Sequence, residues 1–428
     1  MRRSLGETLN RMLMLMASAI FTQKLSAFFL RIRRIDVMLT SIAVILLLGL
    51  SSGWLFSKMK LPSLMGMIIV GILLSPHCLN LVDETILLIS ADLRQIALVI
   101  ILTRAGLSLN LSDLKKVGRP AILMCFVPAC VEMLGTIVFA PMLLGVSTLD
   151  AAIIGSVIAA VSPAVVVPRM IRLMEEGYGR KNHVPQLVLA GAAVDDVFVI
   201  VVFTALTTLA STGNVSASSF LQIPVSICLG ILLGGIVGWL LVVFFKRNHM
   251  RDTVKILIIL SISFLLLEIQ TRLEGIVPVS GLLAIMGMGI VINQKYDILA
   301  RRLSAKYNKL WLGAEILLFV LVGIAVDLNY ALAAGAAAIM LVAVALCFRM
   351  VGVAISVTKT QLNRKERLFC MLAYTPKATV QAAIGTIPLT MGLECGSLVL
   401  TVAVISILLT APFGAVCVDR LHPQLLDK

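Results

Sequence analysis

Charge is scarce in this chain. Asp, Glu, Lys and Arg make up 14% of its 428 residues, against 60% hydrophobic residues and a mean hydropathy of +1.05. A soluble domain is about a quarter charged, so no soluble fold could bury this much apolar surface. Period-two alternation is also missing, which excludes a barrel of membrane strands. The eight cysteines include no CxxC pair. Most of them (Cys125, Cys130, Cys228, Cys347, Cys370, Cys417) stand inside apolar runs and read as small core residues rather than disulfides or metal ligands. Only four histidines occur, and His77, His183, His249 and His422 all fall in expected loops or tails, which argues against a membrane-embedded zinc site. The net charge of +14 sits in short loops, with no basic domain and no aromatic stacking surface, so nucleic acid is not a partner. Loop bases of this kind report orientation and can touch anionic lipid. No cleavable signal peptide is evident, because Arg11 and Lys24 interrupt the stretch after Met1-Arg2-Arg3.

What the chain has in abundance is apolar runs of about 20 residues, enough to cross a bilayer core as helices. Thirteen are expected: 36–56, 61–74, 95–109, 120–144, 149–171, 186–211, 220–245, 253–270, 277–293, 310–328, 330–357, 367–389 and 395–418. The loops after odd-numbered segments carry nearly all the Lys and Arg, whereas those after even-numbered segments carry only Arg94 and Arg272. The positive-inside rule then places the C-terminus in the cytoplasm. Residues 1–35 hold seven Lys or Arg. A stretch near Met12–Leu30 reads either as an amphipathic interfacial helix or as a fourteenth spanning helix. The short tails favour a bacterial plasma membrane.

Two segments are interrupted at mid-depth. Segment 5 contains Val161-Ser162-Pro163-Ala164, with Pro168 further on, and segment 12 contains Tyr374-Thr375-Pro376-Lys377. A proline inside a helix frees backbone groups, and in lipid these need a partner or a wet cavity. The two breaks are seven segments apart, so the helices run in opposite directions. That is the pattern of inverted repeats whose broken helices meet at a central ion site. The repeats are expected to be segments 1–6 and 8–13, with segment 7 as linker. The fold class expected is all-α integral membrane, with 13–14 transmembrane helices and two broken crossing helices.

Charges deep in such a bundle are functional candidates. Asp195-Asp196 lie in segment 6, roughly 14 Å deep. Adjacent helical positions point about 100° apart, so one carboxylate can face a cavity while the other faces a neighbouring helix or the broken backbone. Two carboxylates this close in a poorly hydrated site repel each other. Such a site holds a proton or a cation, but not both well, and competition alone then gives exchange. Glu132 in segment 4 and Arg349 in segment 11 have similar depth and opposite sign, and a buried salt bridge between them is expected. Lys377, at the break of segment 12, can offset the negative ends of two half-helices meeting there. Arg104 is taken as a snorkelling residue near the cytoplasmic end of segment 3. Glu315 reads as an interfacial glutamate, while Asp327 and Glu268 look solvated.

These residues resemble the monovalent cation/proton antiporter superfamily, and within it the sodium/hydrogen exchanger domain-containing branch, which has bacterial and animal members. The likeness runs from about residue 36 to the end. It rests on the string Ala160–Pro168, the Asp195-Asp196 pair, Pro128-Ala129-Cys130-Val131-Glu132, and the string Pro376–Gly385. Leu61-Pro62, Ser75-Pro76 and Leu102-Thr103-Arg104-Ala105-Gly106 add to it. The resemblance implies a sodium/proton antiporter fold and a homodimer, with a fixed dimer domain and a core that slides in an elevator motion. The units expected are 1–35 (an amphipathic or extra transmembrane helix), 36–118 (dimer scaffold), 119–218 (core), 219–252 (linker), 253–329 (dimer scaffold) and 330–428 (core and tail). Asp196 would be the main cation and proton ligand, with Asp195 in support and Ser162 lining the site. Pro163, Thr375, Pro376 and Lys377 would form the crossover. Many relatives place a lysine where Arg349 stands, and an arginine cannot give up its proton, so their lysine relay does not carry over.

The function expected is therefore exchange of sodium or lithium for protons, with sodium or lithium held at Asp196 and Asp195 and no cofactor beyond the transported ions. The partners are the cation, the proton, the bilayer and a second copy of the chain. Potassium/proton exchange and sodium-coupled uptake of an organic anion are the alternatives, with a non-transporting sensor more remote. An intramembrane hydrolase is excluded, since Ser162 has no membrane histidine to activate it and the two aspartates are adjacent on one helix.

Overall fold

A computed structural model describes residues 38–59, 61–108, 118–211, 217–273, 277 and 279–428. The unit expected at 1–35, and with it the Met12–Leu30 stretch, lies outside the described residues. No strand occurs among those that are described, and each of the thirteen apolar segments is helical.

The helices are α1 (Met38–Lys58), α2 (Ser63–Leu74), α3 (Glu84–Leu88), α4 (Ser90–Ser108), α5 (Arg119–Met124), α6 (Val127–Leu144), α7 (Thr148–Ile158), α8 (Pro163–Glu176) and α9 (Val184–Ser211). Then come α10 (Ala217–Arg247), α11 (Asp252–Leu273), α12 (Gly281–Lys295), α13 (Asp297–Ile324), α14 (Leu328–Ser356), α15 (Arg364–Ala373), α16 (Thr379–Ile384), α17 (Ile387–Thr390) and α18 (Gly396–Leu425). Eight helical spans among the described residues are long and apolar enough to cross a membrane unaided. The remaining segments are short (α2, α12), carry charge (α4, α11) or are broken (α15 to α17).

Local chemistry sets the ends. Ser147 accepts from the Asp150 N–H at the start of α7, and Asn363 with Glu366 forms a reciprocal capping box at the start of α15. Gly145 and Gly177 adopt left-handed φ of 67° and 91° to close α6 and α8, where a side chain would be strained.

The helices sort into two bundles. In one, α1, α2, α4, α10, α11, α12 and α13 pack on one another; in the other, α5 to α9 pack with α14, α15 and α18. Contact between the bundles is sparser and runs through α9 and α16 against α4, α10, α12 and α13. In the first bundle two backbone crossings are built from glycine pairs. A Cβ on Gly71 would lie 2.9 Å from the Gly323 Cα, and one on Gly106 would lie 3.0 Å from the Gly289 Cα. Gly71 and Gly323 stand in segments 2 and 10, and Gly106 and Gly289 in segments 3 and 9, so the pairs exchange places between the two halves of the chain.

Several sequence-based expectations change. Arg94 is not a loop residue. It lies inside α4, 5% exposed, and donates to the Leu321 carbonyl at 3.5 Å near the end of α13. Helix α13 begins at Asp297 rather than near 310, because the basic stretch continues the helix, with Arg301 and Asp297 paired at 3.5 Å one turn apart. Segment 4 is two helices, parted at Cys125-Phe126 just before Pro128. His422 is no tail residue: it is buried in the last turn of α18, edge-on to Tyr178 at 4.8 Å. Cys125 and Cys370 are buried, but Cys228 and Cys347 are exposed on their helices.

Candidate functional site

The breaks are where the sequence put the prolines. Helix α7 stops at Ile158 and α8 starts at Pro163; α15 stops at Ala373 and α16 starts at Thr379. The intervening extended stretches cross, joined by the Ser162 N–H donating to the Pro376 carbonyl at 2.7 Å. Pro376 also packs on Gly414 of α18, where a Cβ would lie 2.7 Å from its Cδ. Three carbonyls at the end of α7 accept from side chains distant in the chain. Lys377 Nζ donates to Ile158, Arg349 Nη1 to Ala159, and Gln381 Nε2 to Ala160 at 2.8 Å. At the end of α15, the Tyr374 carbonyl accepts from Arg349 Nε at 2.7 Å. Three positive or polar side chains thus sit where two helix dipoles point their negative ends.

Around the crossing lies a fully buried charge network. Arg349 Nη1 meets Glu132 Oε2 at 2.8 Å and Arg349 Nη2 meets Asp195 Oδ2 at 2.9 Å. Lys377 Nζ meets Glu132 Oε1 at 2.6 Å. The same Asp195 oxygen accepts from the Val161 N–H at 2.7 Å, which ties it to the broken backbone. Glu132 and Arg349 are therefore not an isolated pair. Sequence reasoning placed both at equal depth but did not connect them to Asp195 or Lys377. Two cations and two carboxylates balance one another, and this balance is what makes four buried charges tolerable.

Asp196 stands outside that balance. Its Oδ1 is buried, with no hydrogen-bond partner among the described residues. The side chain lines a small cavity of about 20 Å³ with Leu98, Leu102, Met286, Thr379 and Ala383. These residues come from α4, α12 and α16, so the cavity lies between the two bundles. It has room for about one water-sized occupant. Ser162 is fully buried at the start of α8, and its hydroxyl also has no partner among the described residues. Pro163 and Thr375 hold the ends of the half-helices, with Thr375 donating to Leu372 at 2.8 Å. Among the described residues, no group of three His, Cys, Asp or Glu side chains forms a metal cluster.

Sequence reasoning missed Gln381, Tyr374 and Thr410. Tyr374 donates from its hydroxyl to the Met124 carbonyl at 3.1 Å, and the Thr410 hydroxyl accepts from the Lys377 N–H at 3.0 Å. The signal for Gln381 was present: a glutamine in an apolar run, five residues after a break proline and placed to cap its own helix. Arg104 is not a free snorkelling residue either. It is half-buried on α4 and interacts electrostatically with Glu315 on α13.

Fold and site together define a class: a multi-pass helical membrane protein in which two interrupted helices cross at a buried charge network. The comparisons with known proteins narrow it. The sodium/hydrogen exchanger transmembrane family matches residues 41–419, and the chain belongs to that family. Human sodium/hydrogen exchanger 9B2 is 31% identical, covering 86% of this chain and 70% of its own length. Human sodium/hydrogen exchanger 9B1 is 30% identical, covering 86% and 73%. The solved structure of the sodium proton antiporter MjNhaP1 from Methanocaldococcus jannaschii superposes with a TM-score of 0.78, covering 91% of this chain and 98% of that one. At 19% identity this last likeness shows a shared fold. Proteins of this family are transporters rather than enzymes. The expectation of a bacterial plasma membrane is corrected, since the curated relatives are vertebrate proteins. It rested on short tails, which carry no information about the host membrane.

Proposed function

We propose that this protein exchanges sodium or lithium for protons across its membrane, the two competing at the aspartate pair. The observation that carries the reading is the asymmetry of that pair. Asp195 is held by Arg349 and the Val161 N–H, and its charge is matched. Asp196 turns an unpartnered oxygen to a cavity lined otherwise by apolar groups and Thr379. A carboxylate so placed needs either a proton or a bare cation for company. Asp196 is the main ligand, Asp195 holds it in register, and the buried Ser162 hydroxyl supplies a further oxygen. The small cavity favours a monovalent ion over an organic anion.

The bundle holding Asp196 is the moving core and the glycine-crossed bundle is the scaffold, sliding past each other in an elevator motion. Sparse contact between the bundles supports this, and the exchanged pairs Gly71/Gly323 and Gly106/Gly289 support the inverted repeats. A homodimer formed through the scaffold completes the reading, with unit boundaries at 118, 218, 252 and 329. The test loads proteoliposomes with a pH gradient and adds sodium, lithium or potassium to wild type and to Asp196→Asn. Sodium or lithium collapses the gradient in wild type only. A response to potassium alone moves the substrate and keeps the site; no response to any of the three sinks the reading.

A further inference from the structure

Lys377 and Arg349 hold the crossing with charge, and both are tied to carboxylates that neighbour the ion site. Gln381 holds it without charge. Its Nε2 donates to the Ala160 carbonyl at 2.8 Å and, more weakly, to Ile158 at 3.5 Å, while its Oε1 accepts from the Ala378 N–H at 2.8 Å. The amide orientation follows from the chemistry, since carbonyls require the donor and the N–H requires the acceptor. The side chain is fully buried. One residue in α16 thus satisfies the loose end of α7 in one half of the chain and the start of its own helix in the other. The third residue of α8, counted as Gln381 is in α16, is Val165, which has no such group.

We propose that Gln381 is a positioning residue for cation binding, resting on the antiport reading above. It fixes the extended stretch 159–162, which includes Val161, whose N–H anchors Asp195, and Ser162, whose hydroxyl is buried. It also donates into the negative pole of α7, taking up one of the two lone pairs of the Ala160 carbonyl. In other transporters with broken helices, unwound carbonyls coordinate the ion. Here side chains of the protein donate to them, and Asp196 is left as the main ligand. The charged contacts change strength whenever a proton at Asp196 gives way to a cation. The amide's bonds do not, so Gln381 keeps the stretch in place through both loaded states.

The test compares wild type, Gln381→Glu and Gln381→Leu as full-length protein in proteoliposomes. Sodium-dependent proton flux is measured for KM and kcat from pH 6 to 9, with thermal unfolding as a check on folding. Protonated glutamic acid reproduces the glutamine pattern, its O–H donating to Ala160 and its other oxygen accepting from Ala378. The carboxylate cannot donate. Gln381→Glu therefore shows a sodium KM close to wild type at the acid end and about tenfold higher at the alkaline end, with kcat at saturating sodium within about twofold. Gln381→Leu shows a raised KM at every pH. A sodium KM equal to wild type in both variants across the range overturns the proposal. So does a loss confined to thermal stability and yield, which is what packing alone would give. Wild type without sodium-dependent flux sinks the antiport reading itself, and the inference with it; flux in wild type separates the two.

Discussion

Arg349 Nη2 lies 2.9 Å from Asp195 Oδ2, while its Nη1 lies 2.8 Å from Glu132 Oε2. A single guanidinium from α14 therefore joins α9 to α6 beside the broken helix of the first half. The first aspartate of the pair is matched by the protein's own cation, and the second is not.

The two aspartates should then fail differently. Asp196→Asn abolishes sodium-dependent proton flux and leaves thermal unfolding near wild type, because it removes an unmatched charge at nearly constant volume. Asp195→Asn removes a buried partner of Arg349 and is expected to cost about 3 kcal/mol of stability. Flux in proteoliposomes and unfolding in detergent, measured on both variants, check the difference. Equal loss of stability in the two would contradict it.

Arg349→Lys keeps the charge but not the fork. An ammonium group cannot serve two carboxylates on different helices and two carbonyls from one position. Flux is expected to fall at least tenfold, together with a lower unfolding temperature. A lysine variant with wild-type flux and stability would show that the bridging geometry is dispensable.

Lys377 and Glu132 form a test by pairs. Glu132→Gln and Lys377→Met each leave a buried charge short of its partner. The double variant removes both, so it should be less destabilised than the two single losses summed, with a coupling of about 1–3 kcal/mol. Additive losses in unfolding measurements would mean that their 2.6 Å contact carries no energy.

The glycine crossings predict local intolerance. A Cβ at Gly323 would meet the Ile68 carbonyl and stand 3.0 Å from the Gly71 Cα, both backbone atoms that cannot step aside. Gly323→Ala is expected to cost about 1–3 kcal/mol. Gly235→Ala on α10 has nothing within 4 Å of the added Cβ and should be neutral or slightly stabilising. Unfolding of the two variants side by side is the measurement.

The cavity can be filled without touching the carboxylate. Ala383 is buried on the cavity wall. Ala383→Leu is expected to reduce flux at least tenfold with Asp196 intact, while Ala→Leu at an exposed position such as Ala305 leaves it unchanged. Normal flux in folded Ala383→Leu would show that the ion does not pass through this cavity.

Much of the fold was legible in order. Each apolar run is a helix, and Pro163 and Pro376 mark the two breaks, because hydropathy and the missing proline N–H act within a few residues. Helix ends were less legible where charge continued a helix, as in Asp297–Lys309, or where a cation was buried, as at Arg94. A one-dimensional scan reads both as loop, since it cannot see the partner that makes a charge tolerable. Glu132 and Arg349 stood out as misplaced charges, whereas Gln381 and Thr410 did not, because a neutral polar residue in an apolar run costs too little to attract notice.

The sequence by itself determined that this is a helical membrane protein with two interrupted helices of opposite direction and an aspartate pair at mid-depth. Those features follow from local composition, helical rise and the chemistry of proline. Only the tertiary structure decided which aspartate is matched. Asp195 and Asp196 are chemically identical neighbours, and what separates them is a turn of about 100° on α9. That turn gives one to Arg349, 154 residues further along the chain, and the other to a cavity walled by the opposite bundle. Burial makes a charge's partners decide its role, and partners so distant in sequence are set only when the helices pack.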